Sequence, residues 1–436
     1  MENMLYICKI FAEMEVKMVY EIKLANFFSI KDEVVLDFRA ANLKSYITNS
    51  LSNNVFETDK AALLKTLVIY GANASGKSNI VKAIRFCNSM VIHSHNHNEN
   101  TVFKFQPFKF DGFEDKPSSF FIRFSLNTVE YEYSFTLQRS KILTESLHFY
   151  PKGRIKEIFT RNESLGNTKK EKYSFTDVIR RPMDVAENTS DKTLFISRAS
   201  QMDRDIAKDV FNFFSSTFIL DYMSFGFSAI EDISVRNKNQ LLSALRIADS
   251  DIDDVQIKVL KKKVQMMNSE VPALSLNPED VLREYLLIKT YHKKHPGVAF
   301  DFLTEESEGT IRLFFIMLTL LSVIKHNKFL LIDEIEESLH PRITEYIFNL
   351  FRAGEKAQLL CTTHNTWFLD LKKFRKDQVY FTNKKPDGAT DLYSLYDYSD
   401  FRDTMDLEKA YLQGRFDAIP MVNDSADDLK YLLNEQ

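Results

Sequence analysis

Apolar residues change rhythm several times along this chain, and each change predicts an element. Val19 to Phe38 reads as two strands joined near Phe28-Ser29-Ile30. Leu67-Val68-Ile69-Tyr70 is a continuous apolar run, predicting a short buried strand. Ile80, Ile84, Cys87 and Val91 then recur on one face of a helix. Phe103 to Leu137 alternates in FKFQPFKF, SFFIRFSL and YEYSFTL, which predicts antiparallel strands with a turn near Asn127, and Ile142 to Phe159 continues that sheet. The stretch 161–230 is mixed and charged, with helical character over Asp203–Phe218. Leu241 to Asp254 predicts a helix, and Val255–Val264 and Glu284–Tyr291 predict strands. An apolar helix through Phe314, Phe315, Met317, Leu318 and Leu321 precedes two buried strands, one ending at Ile332 and one spanning Gln358–Thr363. A hairpin around Pro386-Asp387-Gly388 and a helical tail from Leu407, interrupted by Gly414 and Pro420, close the pattern.

This rhythm divides the chain into a 1–17 extension, an 18–159 lobe with a β subdomain, a mixed helical insertion at 160–255, a second lobe at 256–400, and a helical tail at 401–436. No repeat, low-complexity linker or sustained heptad interrupts it. Length (436 residues) allows two or three domains, and 44% hydrophobic residues with 37 phenylalanines supply a large aromatic core. A net charge of −4 excludes a generally basic nucleic-acid coat, so any such contact must use a local patch. Lys261-Lys262-Lys263 and His292-Lys293-Lys294-His295 are the basic clusters, and a solvated face is their plainer reading. Three cysteines, Cys8, Cys87 and Cys361, exclude a disulfide framework and a four-cysteine zinc site. The longest apolar run, Leu313 to Ile324, is too short to span a bilayer, and no signal-peptide pattern opens the chain. A soluble cytoplasmic protein without a membrane partner is expected.

Candidate chemistry begins directly after the first buried strand. Gly71-Ala72-Asn73-Ala74-Ser75-Gly76-Lys77-Ser78 has the Gly-x-x-x-x-Gly-Lys-Ser spacing of a phosphate loop, set between a strand and a helix as that motif requires. Gly71 and Gly76 let the backbone aim N–H groups at phosphate oxygens, and the helix start at Asn79 adds partial positive charge. Lys77 is placed for the β- and γ-phosphates and Ser78 for Mg²⁺. Ser307 and Gly309 open the apolar helix, a second start able to bind phosphate, although an ordinary N-cap is the plain alternative. Asp333 and Glu334 close a buried strand 26 residues after Ser307, where Asp333 can hold Mg²⁺ and Glu334 can deprotonate an attacking water. His364 ends the next strand, in reach of a γ-phosphate or lytic water. Phe27 or Phe28 is placed to stack on adenine, with core packing the stronger reading. His93, His95 and His97 read as a polar surface loop before a metal site.

In this order, GANASGKS, SEG at 307–309, LLIDE and a histidine-ended strand resemble an ABC-type ATPase head of the chromosome-maintenance, Rad-type and RecF-type branch. Together with IKLANFFSI, ESEGTIRLF, DEIEESLHP and AYLQGRFDAIP, they are similar to stand-alone AAA-type, ABC-like proteins. Several of those are ATPase components of abortive-infection and related antiphage systems, such as the RloA, AbiL and PARIS groups. The resemblance spans Met18 to Pro420. It implies an α/β fold: an ABC-type P-loop ATPase head with an antiparallel β subdomain and a mixed, mainly helical insertion. It also implies that Lys77 and Ser78 are the Walker A lysine and Mg²⁺ serine, Asp333 and Glu334 the Walker B aspartate and catalytic glutamate, and His364 the switch histidine. Ser307 to Thr310 match the signature that meets the opposite subunit's nucleotide, with Glu308 where glycine is usual. Ser338, Leu339 and His340 match the segment facing the dimer partner. Gln106 and Gln138 both fit the glutamine loop.

The expectation is therefore a Mg²⁺-dependent ATPase that forms at least an ATP-sandwiched homodimer. It would control a separately encoded effector, a nuclease or toxin, in antiphage defence. A RecF-like DNA-repair or DNA-end-binding ATPase is the alternative, so nucleic acid stays open as a ligand. A non-hydrolysing scaffold is disfavoured by Glu334. Only 72 residues follow His364, without a convincing nuclease motif, so no nuclease activity is expected in this chain.

Overall fold

The computed structural model describes residues 17–43, 51–220, 226–247, 251–264, 281–402 and 404–420. The expectations for residues 1–16 and for the tail after Pro420 lie outside these.

The first strands are β1 (Lys17–Ala25), β2 (Val34–Asp37), β3 (Val55–Glu57), β4 (Ala62–Leu64) and β5 (Thr66–Gly71), followed by helix α1 (Lys77–His93). Next come β6 (Ser118–Leu126), β7 (Val129–Gln138), β8 (Lys141–Phe149), β9 (Lys156–Asn162) and β10 (Tyr173–Phe175). Helices α2 (Phe195–Gln201) and α3 (Asp205–Asn212), strand β11 (Phe218–Ile219), and helices α4 (Phe227–Arg236) and α5 (Lys238–Ile247) follow. The second half holds β12 (Ile252–Val264), β13 (Val281–His292), β14 (His295–Asp301), α6 (Glu308–Lys325), β15 (Phe329–Ile332) and α7 (Pro341–Ala353). It ends with β16 (Gln358–Thr362), β17 (Val379–Lys384), β18 (Thr390–Ser394) and α8 (Leu407–Leu412).

One sheet has the order β11-β15-β16-β5-β17-β18, parallel except for the last pair. Its strands read as continuous apolar runs because both faces are covered. The alternation along β5 shows how: Leu67 and Ile69 enter one core with α1 and the N-terminal sheet, while Val68 and Tyr70 enter the other with α6 and α7. That N-terminal sheet is antiparallel, in the order β10-β9-β8-β7-β6-β1-β2. Its β6–β7 hairpin turns at Asn127 and Thr128, both with positive φ (49° and 68°), the conformation a tight two-residue turn needs. α1 buries Ile80, Ile84, Cys87 and Val91, the face its spacing predicts.

Three stretches differ from their sequence pattern. FKFQPFKF alternates like a strand but forms none. Pro107 lacks a ladder donor, and the Asn26 side chain instead accepts from the Phe108 N–H (2.9 Å) while the Gln106 carbonyl accepts from the Phe28 N–H (2.7 Å). The helix expected over 241–254 ends at Ile247, and β12 has begun at Ile252. The divisions drawn at 159/160 and 255/256 fall inside β9 and β12, whose ladders continue across them. From within the 160–255 stretch, β10 extends the antiparallel sheet and β11 extends the parallel one.

Candidate functional site

Four segments meet at the C-terminal ends of the parallel strands. β5 leads into the phosphate loop, and Gly76 at its end (φ 112°) turns the chain into α1. A Cβ on Gly76 would lie 1.9 Å from Thr390 Oγ1, and one on Gly71 would lie 2.2 Å from Thr382 Oγ1. The loop is thus pressed against the β17–β18 hairpin and has room only for glycine at both positions. Ser75 fixes this contact: its Oγ bonds Thr382 Oγ1 (2.6 Å) and its carbonyl accepts from Thr390 Oγ1 (3.0 Å). Asn73 and Ala74 stand exposed at the tip, with Ala74 at φ 63°. Ser78 and Asn79 lie half-buried in the first turn of α1, and Asn79 Nδ2 donates to Ser29 Oγ (2.7 Å).

Lys77 is buried and folds back over the loop, donating to the carbonyls of Gly71 (2.8 Å) and Ala72 (3.0 Å). Its Nζ also sits 3.5 Å from His364 Nδ1. Burial pushes the Lys77 ammonium down to about 8, against the opposing pull of Glu334, Asp333 and Glu336. Burial, and then Lys77 itself, hold His364 below the usual imidazole range. A neutral ring accepting from Lys77 at Nδ1 assigns the proton to Nε2, which faces Glu334 Oε1 at 3.9 Å.

β15 and β16 are adjacent and parallel, with Ile332 beside Cys361, so Asp333 and Glu334 emerge next to Thr362. The fully buried Thr362 hydroxyl donates to Asp333 Oδ1 (2.5 Å) and accepts from the Glu334 N–H (2.8 Å). Glu334 adopts φ 49°, and its carbonyl accepts from Arg312 Nη2 (2.7 Å), so both of its backbone polar groups are held. Arg312 lies on α6 and also pairs with Glu337. Ser307 caps α6, accepting from the Thr310 N–H (3.1 Å). Gly309 lets α6 approach the segment after β15, since a Cβ there would lie 2.7 Å from the Ser338 carbonyl. Within one chain, the Ser307–Thr310 turn therefore meets the Glu334–Ser338 segment.

The family described as "AAA domain, putative AbiEii toxin, Type IV TA system" matches residues 67–370. The chain belongs to this family. Its fold is α/β, an AAA domain with a phosphate loop at the end of a mostly parallel sheet and an antiparallel β subdomain. No curated protein matches the sequence. Solved structures similar to the chain include an SMC head bound to the C-winged helix domain of ScpA (16% identity, 91% of this chain and 99% of that one, TM-score 0.38). The SMC head domain from Thermotoga maritima is similar at 13% identity over 86% of this chain and 98% of that one (TM-score 0.38). A Pyrococcus furiosus Smc head with an extended coiled coil, bound to the C-terminal domain of ScpA, is similar at 13% identity over 92% and 99% (TM-score 0.39).

The sequence-based candidates fall into two groups. Lys77, Asp333, Glu334 and His364 converge with the loop; Ser307 and Gly309 join them through the segment after β15. Thr362, Arg312, Thr382, Thr390 and Ser29 were not among the candidates, although the Thr362-Thr363 pair before His364 was a visible signal. Phe27 is core, stacked on Phe105 with ring centroids 5.5 Å apart, whereas Phe28 is half-buried near Lys82. Gln106 neighbours Phe28, while Gln138 donates to the Asp115 carbonyl. His95 and His97 are not a free loop: their Nδ1 atoms bond Ser197 Oγ (3.1 Å) and the Lys192 carbonyl (3.0 Å). Among the described residues, no helix is long and apolar enough to cross a membrane.

The lowered Lys77 value gives a pH test. Phosphate binding favours the ammonium, so ATP affinity should fall as pH rises through about 8. From pH 7 to pH 9 the protonated fraction drops about tenfold, and the dissociation constant, measured by calorimetry, should rise about tenfold. A Lys77→Met variant should bind weakly without that slope; an unchanged slope would place the titration elsewhere. The empty protein has the opposite trend. An unfolded chain keeps this lysine protonated to higher pH, so the site's contribution to stability rises between about pH 8 and pH 10.

Proposed function

We propose that the chain binds and hydrolyses ATP with Mg²⁺ as a nucleotide-gated dimeric switch that controls a separate effector in antiphage defence. The observation that carries this is the Thr362 bridge between Asp333 and Glu334, beside His364 and the folded Lys77 side chain. It gathers a hard carboxylate, a general base and a cationic phosphate partner at one sheet end.

The donor set fits Mg²⁺: the Ser78 hydroxyl and the Asp333 carboxylate are hard oxygen ligands of the kind this ion takes. Bound there, it supplies neutralisation of phosphate charge. The chain's residues do the rest. The backbone of Gly71 to Ser78, with Asn79, cradles the phosphates. Lys77 leaves the Gly71 and Ala72 carbonyls for phosphate oxygens. Glu334 takes the proton from the attacking water, and His364 orients that water through Nε2–H. Ser307 and Gly309 engage the nucleotide held by a second copy. Hydrolysis removes the bridging γ-phosphate and so favours separation.

The family's own description as a putative AbiEii toxin of a type IV system supports the defence reading. The test is a pull-down of tagged Glu334→Gln with ATP from the native host, read by mass spectrometry and set beside nuclease-treated controls. A stoichiometric protein partner released by ADP is expected. Nucleic acid without a protein partner would favour the RecF-like reading. Metal-dependent DNA cleavage by the homogeneous chain would overturn the separate-effector part.

A further inference from the structure

Strands β12, β13 and β14 form a separate three-stranded antiparallel sheet. One face is covered: Val255, Ile288 and Thr290 are buried, and β12 packs against α4 and α5. The other face is largely uncovered among the described residues. Register places Leu260 opposite Tyr285, Lys258 opposite Leu287, Gln256 opposite Lys289, and Tyr291 opposite Ala299. Tyr285 is 42% exposed and Leu260 38%; Lys258, Lys289, Gln256 and Ala299 are exposed as well, while Leu287 and Tyr291 are half-buried.

Charge sets this sheet apart from the rest of the protein. The residues 252–264 and 281–301 carry eight Lys/Arg and four Asp/Glu, in a chain whose net charge is −4. The carboxylates are largely answered from within. Asp253 pairs with Arg246 (2.7 Å), Asp254 with Lys238 (2.5 Å), and Glu284 with Lys261 (3.2 Å). Asp301, opposite Lys289, accepts from the Leu303 N–H (3.1 Å). Among the described residues, Lys258, Lys289, Lys293 and Lys294 have no acidic partner. Such a face has cations for a phosphate backbone. It also has two tyrosines on one side of β13, separated by Leu287 and Lys289, for stacking bases. Same-side neighbours along a strand are about 7 Å apart, so the tyrosines stand about 20 Å apart with a lysine between them.

We propose that this face binds single-stranded nucleic acid, with Tyr285 and Tyr291 as stacking platforms and Lys258 and Lys289 on the backbone. A duplex would need only the charges. The same-side row of Tyr285, Leu287, Lys289 and Tyr291 along β13, with Tyr285 and Lys289 exposed and Leu287 and Tyr291 half-buried, favours unpaired bases. The proposal stands apart from the ATPase reading, because no residue of the phosphate site takes part. The sheet nevertheless reaches that site. On its covered side, His292 Nε2 and Thr290 Oγ1 bond Glu306 Oε1 (2.9 and 2.6 Å), and Glu306 directly precedes Ser307.

The test is fluorescence anisotropy of the full chain with a labelled oligothymidylate of about 30 nucleotides, a duplex of equal length, and polyglutamate. Single-strand binding should weaken steeply between about 50 and 200 mM salt. Lys258→Glu with Lys289→Glu should bind at least about tenfold more weakly and with a shallower salt slope. Tyr285→Ala with Tyr291→Ala should lose about tenfold for the single strand and little for the duplex. Melting temperature and basal turnover of each variant report folding and the phosphate site separately. The proposal fails if the wild-type chain does not bind the single strand. It also fails if the tyrosine variant binds that strand unchanged, or if polyglutamate binds as well as the oligonucleotide.

Discussion

Replacing Glu334 with glutamine is expected to slow ATP turnover by about 10²- to 10⁴-fold while leaving ATP binding intact. The reason lies in how the residue is held. Its backbone is clamped at φ 49° by the Thr362 hydroxyl on the N–H and Arg312 on the carbonyl, and neither contact uses the side chain. Glutamine has the same shape, so the clamp, the β15 strand end and the Lys77 loop keep their geometry. What disappears is the carboxylate that we propose accepts the water's proton. The substitution adds about 3–5 kcal/mol to the barrier and nothing comparable to the binding step. ATP then stays uncleaved, and the ATP-bound dimer should accumulate, visible as a doubled mass by light scattering with ATP and not with ADP. An unchanged melting temperature would exclude unfolding as the cause. Full turnover by Glu334→Gln would remove Glu334 from the role of base.

The parts of the site legible in the sequence are those whose residues are consecutive. The phosphate loop, Asp333-Glu334 and the strand that runs up to His364 each announce themselves within a few residues, because strand, turn and functional group follow in order. The parts that were not legible depend on which strands become neighbours. Thr362 touches Asp333 only because β16 lies beside β15 in parallel register. Thr382 and Thr390 reach Ser75 across more than 300 residues of chain. Nothing in the periodicity of Gln378 to Leu395 shows that this hairpin backs the phosphate loop. Alternation in FKFQPFKF misled for a related reason. Its buried phenylalanines satisfy the core, but the backbone is claimed by Asn26 and Phe28 from a distant turn. Burial was readable there and hydrogen-bond pairing was not.

Thr362→Val separates positioning from proton transfer. Valine matches threonine in shape and suits a buried strand, and the β16 ladder uses only backbone groups, so the sheet should survive. The lost hydroxyl frees Asp333 Oδ1 and the Glu334 N–H together. Asp333 would then no longer be held at one orientation, and the left-handed turn at Glu334 would keep only the contacts at its carbonyl, from Arg312 and the Glu337 N–H. Removing a partner that orients a metal-binding carboxylate typically costs about 10- to 100-fold in metal affinity or activity. The expected result is a rise of that size in the Mg²⁺ concentration needed for half-maximal turnover. Metal-free ATP binding, which rests on Lys77 and the loop, should stay unchanged. Thr362→Ser keeps the oxygen and should restore most of the wild-type response. Glu334→Gln should show the opposite split, with turnover lost at every Mg²⁺ concentration and the half-maximal point unmoved. If Thr362→Val titrates with Mg²⁺ like the wild-type protein, the hydroxyl serves the strand end alone. Asp333 is then held by something other than the bridge.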